Sequence, residues 1–402
     1  MTRWPILALG DVASATPNAM ATGPFGSAIS SRFFVSSGVP VIRGSNLSTD
    51  VGVRLNEDNL AFLAPDKAGE FSRSLARVGD LIFTCWGTVG QVGLIDSRAT
   101  FPEYIVSNKQ MKLTPDLERA DPLFLYYLLS SPAMVEQVQQ RAIGAAVPGF
   151  NLGQLRELPV CLPPVAEQHA IAATLGALDD KIDSNRRSQV VGQSLVRALV
   201  DQAMATSDGP VGVLSDYCHL VVDPVSAADI GPETPYISMG QMPRGSIFVD
   251  SWEQATRVSS GKSRFEKDDV LFGKLRPYFR KVGVAPISGV CTTELLVIRP
   301  DRASNLPLVA CVASSDALID SLSASATGTR MPRASWGDLA KWPVAMLSAD
   351  EQDDLGSVTV PLLQKLMQLT IENHRLVALR NVLLPELLSG RLRLGARCGG
   401  EH

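Results

Sequence analysis

The sequence predicts an α+β protein in which one plan, a globular domain followed by a long helix, is written twice. The two helices are expected to pair as an antiparallel coiled coil between the domains. Three observations carry this expectation. A chain of 402 residues exceeds a single compact core at roughly 100–200 residues per domain. An internal repeat recurs at a constant spacing. Two stretches of roughly 35 residues carry apolar residues at 3-4 spacing, the pattern of a coiled-coil seam.

Residues 142–155 align with 326–339 at a shift of 184 positions. The same shift pairs Ser130 and Ser131 with Ser314 and Ser315, Pro159 and Val160 with Pro343 and Val344, and Glu167 and Gln168 with Glu351 and Gln352. Further upstream, 78–83 faces 267–272 and 40–43 faces 235–238, now with small insertions. Variable spacing is what surface loops tolerate, whereas a gap-free stretch points to elements of fixed length. In the globular parts, short β-like runs at 80–84, 92–95 and 294–298 lie between Gly/Pro turns. Segments 122–129, 135–141, 308–314 and 317–323 read as helices.

The first long helix opens after Pro163 and Pro164 and closes at the turn signal 207–210. Its seam runs through Ile171, Leu175, Leu178 and Ile182, then polar Asn185 and Gln189, then Val196, Leu199 and Ala203. The second begins near Ser348, which forms a capping box with Glu351, and is stopped or kinked at Pro385 before Ser389 and Gly390. Its seam is Leu355, Thr359, Leu362, Leu366, Leu369, Asn373, Leu376, Arg380 and Leu383. Asn373 at a seam position fixes register at some cost in stability. The domains so expected are 1–160, a helix in 161–206, a second domain in 207–346, and a helix with its tail in 347–394. Each helix could instead pack only on its own domain.

Hydrophobic residues make up 45% of the chain and charged residues 19%, the composition of a folded protein rather than a disordered one. With 37 Lys and Arg against 41 Asp and Glu, the formal charge is −4. A uniformly basic coat is excluded, and any polyanion site must be a local patch. Six scattered cysteines (Cys85, Cys161, Cys218, Cys291, Cys311, Cys398) with no C-x-x-C, and only four histidines, argue against a structural metal or a disulfide framework. The opening residues are too briefly apolar for a secretory signal, and no apolar run approaches the roughly 20 residues of a membrane span. The expected location is cytoplasmic, away from the membrane.

The clearest basic patch runs over 257–281. Arg257, Lys262, Arg264, Lys267, Lys274, Arg276, Arg280 and Lys281 stand against Glu266, Asp268 and Asp269, and Tyr278 and Phe279 interleave with the last cations. Phosphate neutralisation needs such a local excess, and Arg can fork onto guanine. A solvated surface strand has the same composition. Arg330 and Arg333 sit on a Gly-rich turn whose first-half counterpart, 144–149, carries no charge. In the first half, Arg43 with Ser45 and Asn46, Trp86 with Thr88, and Asn108 with Lys109 and Gln110 lie beside strand-like runs. Asn and Gln suit adenine, and Lys suits guanine or phosphate. The same residue types are ordinary in loops.

No catalytic constellation emerges. Gly261, Lys262 and Ser263 lack the glycine five positions earlier that a phosphate loop requires, since Thr256 stands there. Neither H-E-x-x-H nor G-x-S-x-G occurs. Pro163-Pro164 lacks the flanking polar and aromatic residues with which an adenine methyltransferase holds its flipped base.

The residues at 162–168 (Leu-Pro-Pro-Val-Ala-Glu-Gln) lead into Ile171, Leu178, Asp179 and Ile182, and the chain closes on Leu-Leu-Pro-Glu-Leu-Leu-Ser-Gly-Arg from Leu383. Together with 23–27, 39–44 plus Asn46, 79–83 and 273–278, this arrangement resembles the specificity subunit of type I restriction–modification systems over essentially the whole chain. The second copy of the Pro-Pro motif is degraded to Leu347-Ser-Ala-Asp-Glu-Gln352.

The resemblance implies two target-recognition domains, each reading one half of a split double-stranded DNA site. It also implies that the helices hold the domains apart and dock two methyltransferase subunits, with restriction subunits completing an ATP-dependent nuclease. The chain itself would be non-catalytic and cofactor-free, S-adenosylmethionine belonging to the methyltransferase and ATP with Mg to the restriction subunit. The DNA-facing residues on this reading are Arg43, Asn46, Trp86, Thr88, Asn108, Lys109, Lys274, Arg276, Tyr278, Arg280, Lys281, Arg330 and Arg333. Ile171, Leu175, Leu178, Ile182, Leu362, Leu366, Leu369, Asn373 and Leu376 would pair the helices or dock partners. Two other readings fit the sequence: the specificity half of a truncated fused restriction–methylation enzyme, and a coiled-coil scaffold with vestigial domains.

Overall fold

The computed structural model describes residues 4–26, 28–144, 148–325 and 333–394. Two compact units divide the chain: residues 1–180 with 378–402, and residues 181–377. The division falls inside both long helices.

In unit 1 the strands are β1 (Ile6–Ala8), β2 (Met20–Thr22), β3 (Phe34–Val35), β4 (Val39–Ile42), β5 (Ala61–Leu63) and β6 (Leu75–Ala76). They continue with β7 (Leu81–Thr84), β8 (Val92–Leu94), β9 (Tyr104–Val106), β10 (Gln110–Leu113) and β11 (Pro159–Cys161). Its helices are α1 (Pro65–Gly69), α2 (Pro122–Leu129), α3 (Pro132–Arg141), α4 (Leu152–Arg156) and the start of α5 (Val165–Thr206). One sheet has the order β2-β10-β7-β8 and a second β3-β5-β4-β9-β6, while β1 pairs with β11. Within the second sheet, β4 and β9 run parallel.

Unit 2 begins with β12 (Val211–Val213), β13 (Cys218–Val221), β14 (Pro224–Val225), β15 (Pro235–Ile237), β16 (Glu253–Gln254) and β17 (Lys262–Phe265). It continues with β18 (Val270–Gly273), β19 (Val282–Val284), β20 (Gly289–Cys291), β21 (Leu295–Pro300) and β22 (Pro343–Ala345). The helices are α6 (Leu306–Ala313), α7 (Asp316–Ser325), α8 (Trp336–Ala340) and most of α9 (Ala349–Leu388). The sheet order β13-β21-β18-β19 repeats that of unit 1, and β12 pairs with β22. The other sheet, β16-β15-β20-β17-β14, repeats the four-strand order β5-β4-β9-β6 as β16-β15-β20-β17 and again has one parallel pair, β15 with β20. Its additional strand, β14, lies at the edge opposite to that of β3. From α2 and α6 onward the element starts differ by the 184-residue shift.

Local chemistry explains the shared ends. The side chain of Gln168 donates to the Pro163 carbonyl (2.9 Å), and that of Gln352 donates to the Leu347 carbonyl (2.8 Å). The glutamine of each Glu-Gln pair thus closes the turn entering a long helix. Ser348 and Glu351 form the expected capping box, with the Ser348 amide donating to the Glu351 carboxylate at 2.7 Å. Of the two expected effects of Pro385, the stop does not occur, and α9 ends before Ser389 and Gly390 as expected. The helix runs on to Leu388, and Gly390 turns the chain out with φ of +68°.

The buried stripe is also wider than a strict seam. In unit 2 Val196, Val200, Leu363, Leu366 and Met367 are buried, while Leu199, Leu362 and Leu376 are only partly so. A stripe of that width belongs to a helix that also covers a domain core. Leu366 fits against Gly192, where a Cβ would lie 2.7 Å from its side chain. Nearby, Asn185 donates to the Asn373 side-chain carbonyl (2.9 Å), and Gln189 donates to the Thr370 hydroxyl (2.6 Å). In unit 1, Ile171, Ala172 and Leu175 share one core with Leu384, Leu387 and Leu388. Each fully buried leucine contributes on the order of 1.5–3 kcal/mol.

Unit 1 also buries charge. Arg380 donates to Asp179 at 2.8 Å, and the Tyr127 hydroxyl donates to the other Asp179 oxygen at 2.5 Å. Arg54 donates to Asp96 at 2.7 Å and to the Tyr127 oxygen at 3.3 Å. Burial works against the Arg380 charge, but the Asp179 and Asp50 carboxylates more than offset it and hold its pKa above the usual value. Burial pushes the thiol of Cys85 up to about 11, and those of Cys218, Cys291 and Cys311 up to about 12. Among the described residues no single helix is long and apolar enough to cross a membrane.

Candidate nucleic-acid interface

Each unit holds one loop between the two strands of the hairpin at one edge of its four-stranded sheet, and the same three backbone contacts pin it in both. In unit 1, residues 85–91 join β7 to β8. The Cys85 amide donates to the Lys109 carbonyl (2.8 Å), the Phe150 amide donates to the Cys85 carbonyl (2.9 Å), and Trp86 bridges to Gly149. In unit 2, residues 274–281 join β18 to β19. The Lys274 amide donates to the Glu294 carbonyl (2.9 Å), the Ala334 amide donates to the Lys274 carbonyl (2.9 Å), and Leu275 bridges to Arg333. Loops held at their base by backbone can vary their side chains without disturbing the fold.

In unit 1 the junction is a cleft of about 460 Å³. Arg43, Trp86, Thr88, Asn108 and Lys109, five of the residues expected from sequence, line it. Trp86 is 52% exposed, and its ring lies across Gly149, where a Cβ would come within 2.6 Å of it. Gly87 and Gly90 supply the positive φ the loop needs, at +89° and +102°. Thr88 and Lys109 are exposed. Asn108 donates to the Gly26 carbonyl at 3.4 Å, and Arg43 donates to the Asn59 carbonyl at 2.9 Å through one terminal nitrogen while its buried Nε has no partner among the described residues.

Asn46 does not join the cleft. It is fully buried, accepts from the Arg43 amide (3.0 Å) and donates to the Asn56 carbonyl (3.0 Å), a local brace of the backbone. Gln91, which the sequence reading missed, also lines the cleft, as does Gln110, which it named beside Asn108 and Lys109. Gln91 accepts from the Thr84 hydroxyl (3.2 Å) and donates to the Leu47 carbonyl (3.0 Å). Gln110 accepts from the Ser107 hydroxyl, and its buried Nε2 has no partner among the described residues.

In unit 2 the loop is cationic. Arg276 and Arg280 flank a 3₁₀ turn over Pro277–Phe279, and both have left-handed backbones, φ/ψ of 49°/68° and 53°/41°. Glycines take the corresponding role in unit 1. Arginine in this region costs on the order of 1–2 kcal/mol. Arg276, Tyr278 and Arg280 are exposed on the turn, and Arg280 pairs with Asp316 at 2.9 Å. Arg276 and Arg244 lie over the Phe279 ring at 5.9 and 4.8 Å. At the base, Lys274 donates to the Thr293 carbonyl (2.6 Å) and Lys281 to the Met239 carbonyl. Burial and then the neighbouring Arg244 charge hold the Lys281 pKa below its usual value. Arg333 reaches Glu294 at 3.5 Å, and Arg330 lies outside the described residues.

The basic run over 257–281 is not one surface. Lys262 is buried and capped by Ser260. Arg264 lies on β17 of the other sheet, in a cleft with Asp223, Glu266 and Arg299. Of the helix residues, Ile171, Leu175 and Ile182 are buried and Leu178 is partly so. Leu366 and Leu369 are buried as well.

Residues 30–191 match the family model of the type I restriction modification DNA specificity domain. Over 150 residues the chain is 27% identical to the EcoBI type I restriction enzyme specificity subunit of Escherichia coli, covering 37% of this chain and 30% of that protein. Over 272 residues it is 20% identical to the EcoDI specificity subunit of the same species, covering 58% and 60%. A putative type I restriction enzyme specificity subunit of Methanocaldococcus jannaschii is 23% identical over 162 residues, covering 39% and 37%. The alignments thus span between about a third and three fifths of these relatives. The fold is shared with the crystal structure of the type I restriction–modification S subunit from M. genitalium, at a TM-score of 0.64 and 16% identity over 96% of both chains. The motif-bearing helix entry at 162–168 lies inside the matched region, so residues 30–191 resemble a type I restriction modification DNA specificity domain, and the chain as a whole shares the fold of a type I S subunit.

Proposed function

We propose that this chain is the DNA sequence-recognition subunit of a type I restriction–modification complex, itself without catalytic residues. The observation that carries the reading is the loop junction built twice on one backbone plan with different side chains. Trp86, Thr88, Asn108, Lys109 and Arg43 line it in unit 1, and Lys274, Arg276, Tyr278, Arg280 and Lys281 furnish the loop in unit 2. Equivalent positions with unlike chemistry suit the reading of two unlike half-sites, with cations on phosphate and Arg, Lys and Asn on base edges. On this reading residues 1–160 and 207–346 are the target-recognition domains. Residues 161–206 and 347–394 are the coiled-coil spacer, which sets the gap between half-sites and docks two methyltransferase subunits and, through the complex, restriction subunits. Tethering two weak readers raises their joint affinity through effective concentration. S-adenosylmethionine and ATP with Mg are then bound by those partners, and the complex works on DNA in the cytoplasm.

Co-expression with a cognate type I methyltransferase and mapping of N6-methyladenine across a plasmid library tests the proposal. The expected result is methylation of one split, asymmetric motif that disappears when this chain is omitted. An assembled complex that methylates nothing would refute it.

A further inference from the structure

A chain that carries one domain plan twice faces a specific hazard. Its two long helices share several apolar positions, Ile171 with Leu355, Leu178 with Leu362 and Ile182 with Leu366, so each could pair with the same helix of a second copy. The buried charges bear on this. Facing residue numbers on α5 and α9 total 558 or 559, in unit 2 for Asn185 with Asn373 and Gln189 with Thr370, and in unit 1 for Asp179 with Arg380. The repeat shift makes Leu363 the counterpart of Asp179, and Val196 the counterpart of Arg380. Val196 and Leu363 are themselves facing positions by the same rule, both fully buried in one apolar core of unit 2. One copy of the equivalent contact is therefore ionic and the other apolar.

Like-with-like pairing scrambles this arrangement. If α5 met α5 of a second copy in the same geometry, Asp179 would face Val196 at both ends. If α9 met α9, Arg380 would face Leu363 at both ends. Either association takes from two buried charges their 2.8 Å partner, leaving Asp179 only Arg54 at 4.0 Å and Arg380 only the exposed Asp50, and a buried charge that loses its main partner is strongly destabilising. The central polar residues Asn185, Gln189, Thr370 and Asn373 are neutral and can hydrogen-bond in either arrangement, so they discriminate weakly. We propose that Asp179 and Arg380 form a charge lock that commits each long helix to the other helix of the chain and rejects the matching helix of a second copy. This role is independent of what the two domains read.

The test uses the full chain, unfolded in urea, refolded over a hundredfold range of concentration, and weighed by light scattering after gel filtration. Native protein is expected at the single-chain mass of 43.1 kDa throughout. Asp179→Leu with Arg380→Val reproduces the apolar pair of unit 2 and is expected to give a double-mass fraction at least tenfold above native that grows with concentration. Asp179→Asn with Arg380→Val keeps an acceptor for the Tyr127 hydroxyl and carries the test should the first variant not refold. A folded, charge-free variant with the same dimer fraction as native at every concentration would overturn the lock.

Discussion

Arg276→Gly separates the stability of the unit 2 loop from its use. Arg276 occupies the left-handed region at φ 49°, where glycine removes a strain of about 1–2 kcal/mol. Against this stand the added freedom of the unfolded chain, about 0.4–1 kcal/mol, and an exposed cation–π contact to Phe279 at 5.9 Å of about 0.5 kcal/mol. The net change lies within about 1 kcal/mol of zero, so Tm is expected to stay within a few degrees of native. DNA binding is expected to change. If the guanidinium meets a phosphate, the slope of log affinity against log salt becomes shallower by about 0.9. If it forks onto a guanine, about 1–3 kcal/mol of discrimination is lost at one base pair. Fluorescence anisotropy of labelled duplex DNA with the assembled complex, between 50 and 200 mM salt on the order of the range used for such slopes, reads both. Unchanged affinity and slope would refute a DNA-facing role for Arg276. A Tm several degrees lower would refute the strain argument.

Other positions separate structure from recognition in the same way. Asn46→Ala removes the acceptor for the Arg43 amide and the donor to the Asn56 carbonyl. It should cost about 1–3 kcal/mol in urea unfolding of the chain. Arg380→Met leaves Asp179 buried without its 2.8 Å partner and should cost about 3–5 kcal/mol, most of it recovered when Asp179 is also replaced by leucine. Burial raises the Asp96 pKa, but the Arg54 and Arg98 partners prevail and hold it below the usual 3.8. A depressed carboxylate contributes stability above its unfolded pKa and loses it as pH falls through the folded value. Stability should therefore decline below about pH 4, and Asp96→Asn should lower the neutral-pH plateau while flattening that decline.

Much of the plan was legible because it rests on periodicity and repetition. The gap-free shift of 184 residues reappears in the starts of α2 and α6, α3 and α7, α4 and α8, and α5 and α9. Turn and capping residues marked the long helices well, since Pro164 precedes α5 and Ser348 precedes α9. The expected stop at Pro385 did not occur because a proline removes one helical hydrogen bond without forbidding a helix whose other face is packed. The unit 1 cleft was legible only as three separate polar loops; strand order, which sequence does not encode locally, brings Arg43, Trp86 and Lys109 together. Asn46 and Lys262 looked equally available, but hydrogen-bonding and burial were decided by residues such as Asn56 and Ser260, in each case through nonadjacent partners. The ionic pair of the seam residue Arg380 with Asp179, which the seam did not include, was hidden because the two lie 201 residues apart.

The most direct measurement of the central claim maps N6-methyladenine for two loop variants of the co-expressed complex. One neutralises Lys274, Arg276, Arg280 and Lys281, and the other replaces Arg43, Trp86 and Lys109 with alanine. The account predicts that each variant relaxes or abolishes recognition at one half of the split motif, a different half for each, while the other half and the spacing stay as in native. Variants that leave the whole motif unchanged, or that both alter the same half, would contradict the reading of two units as two independent readers.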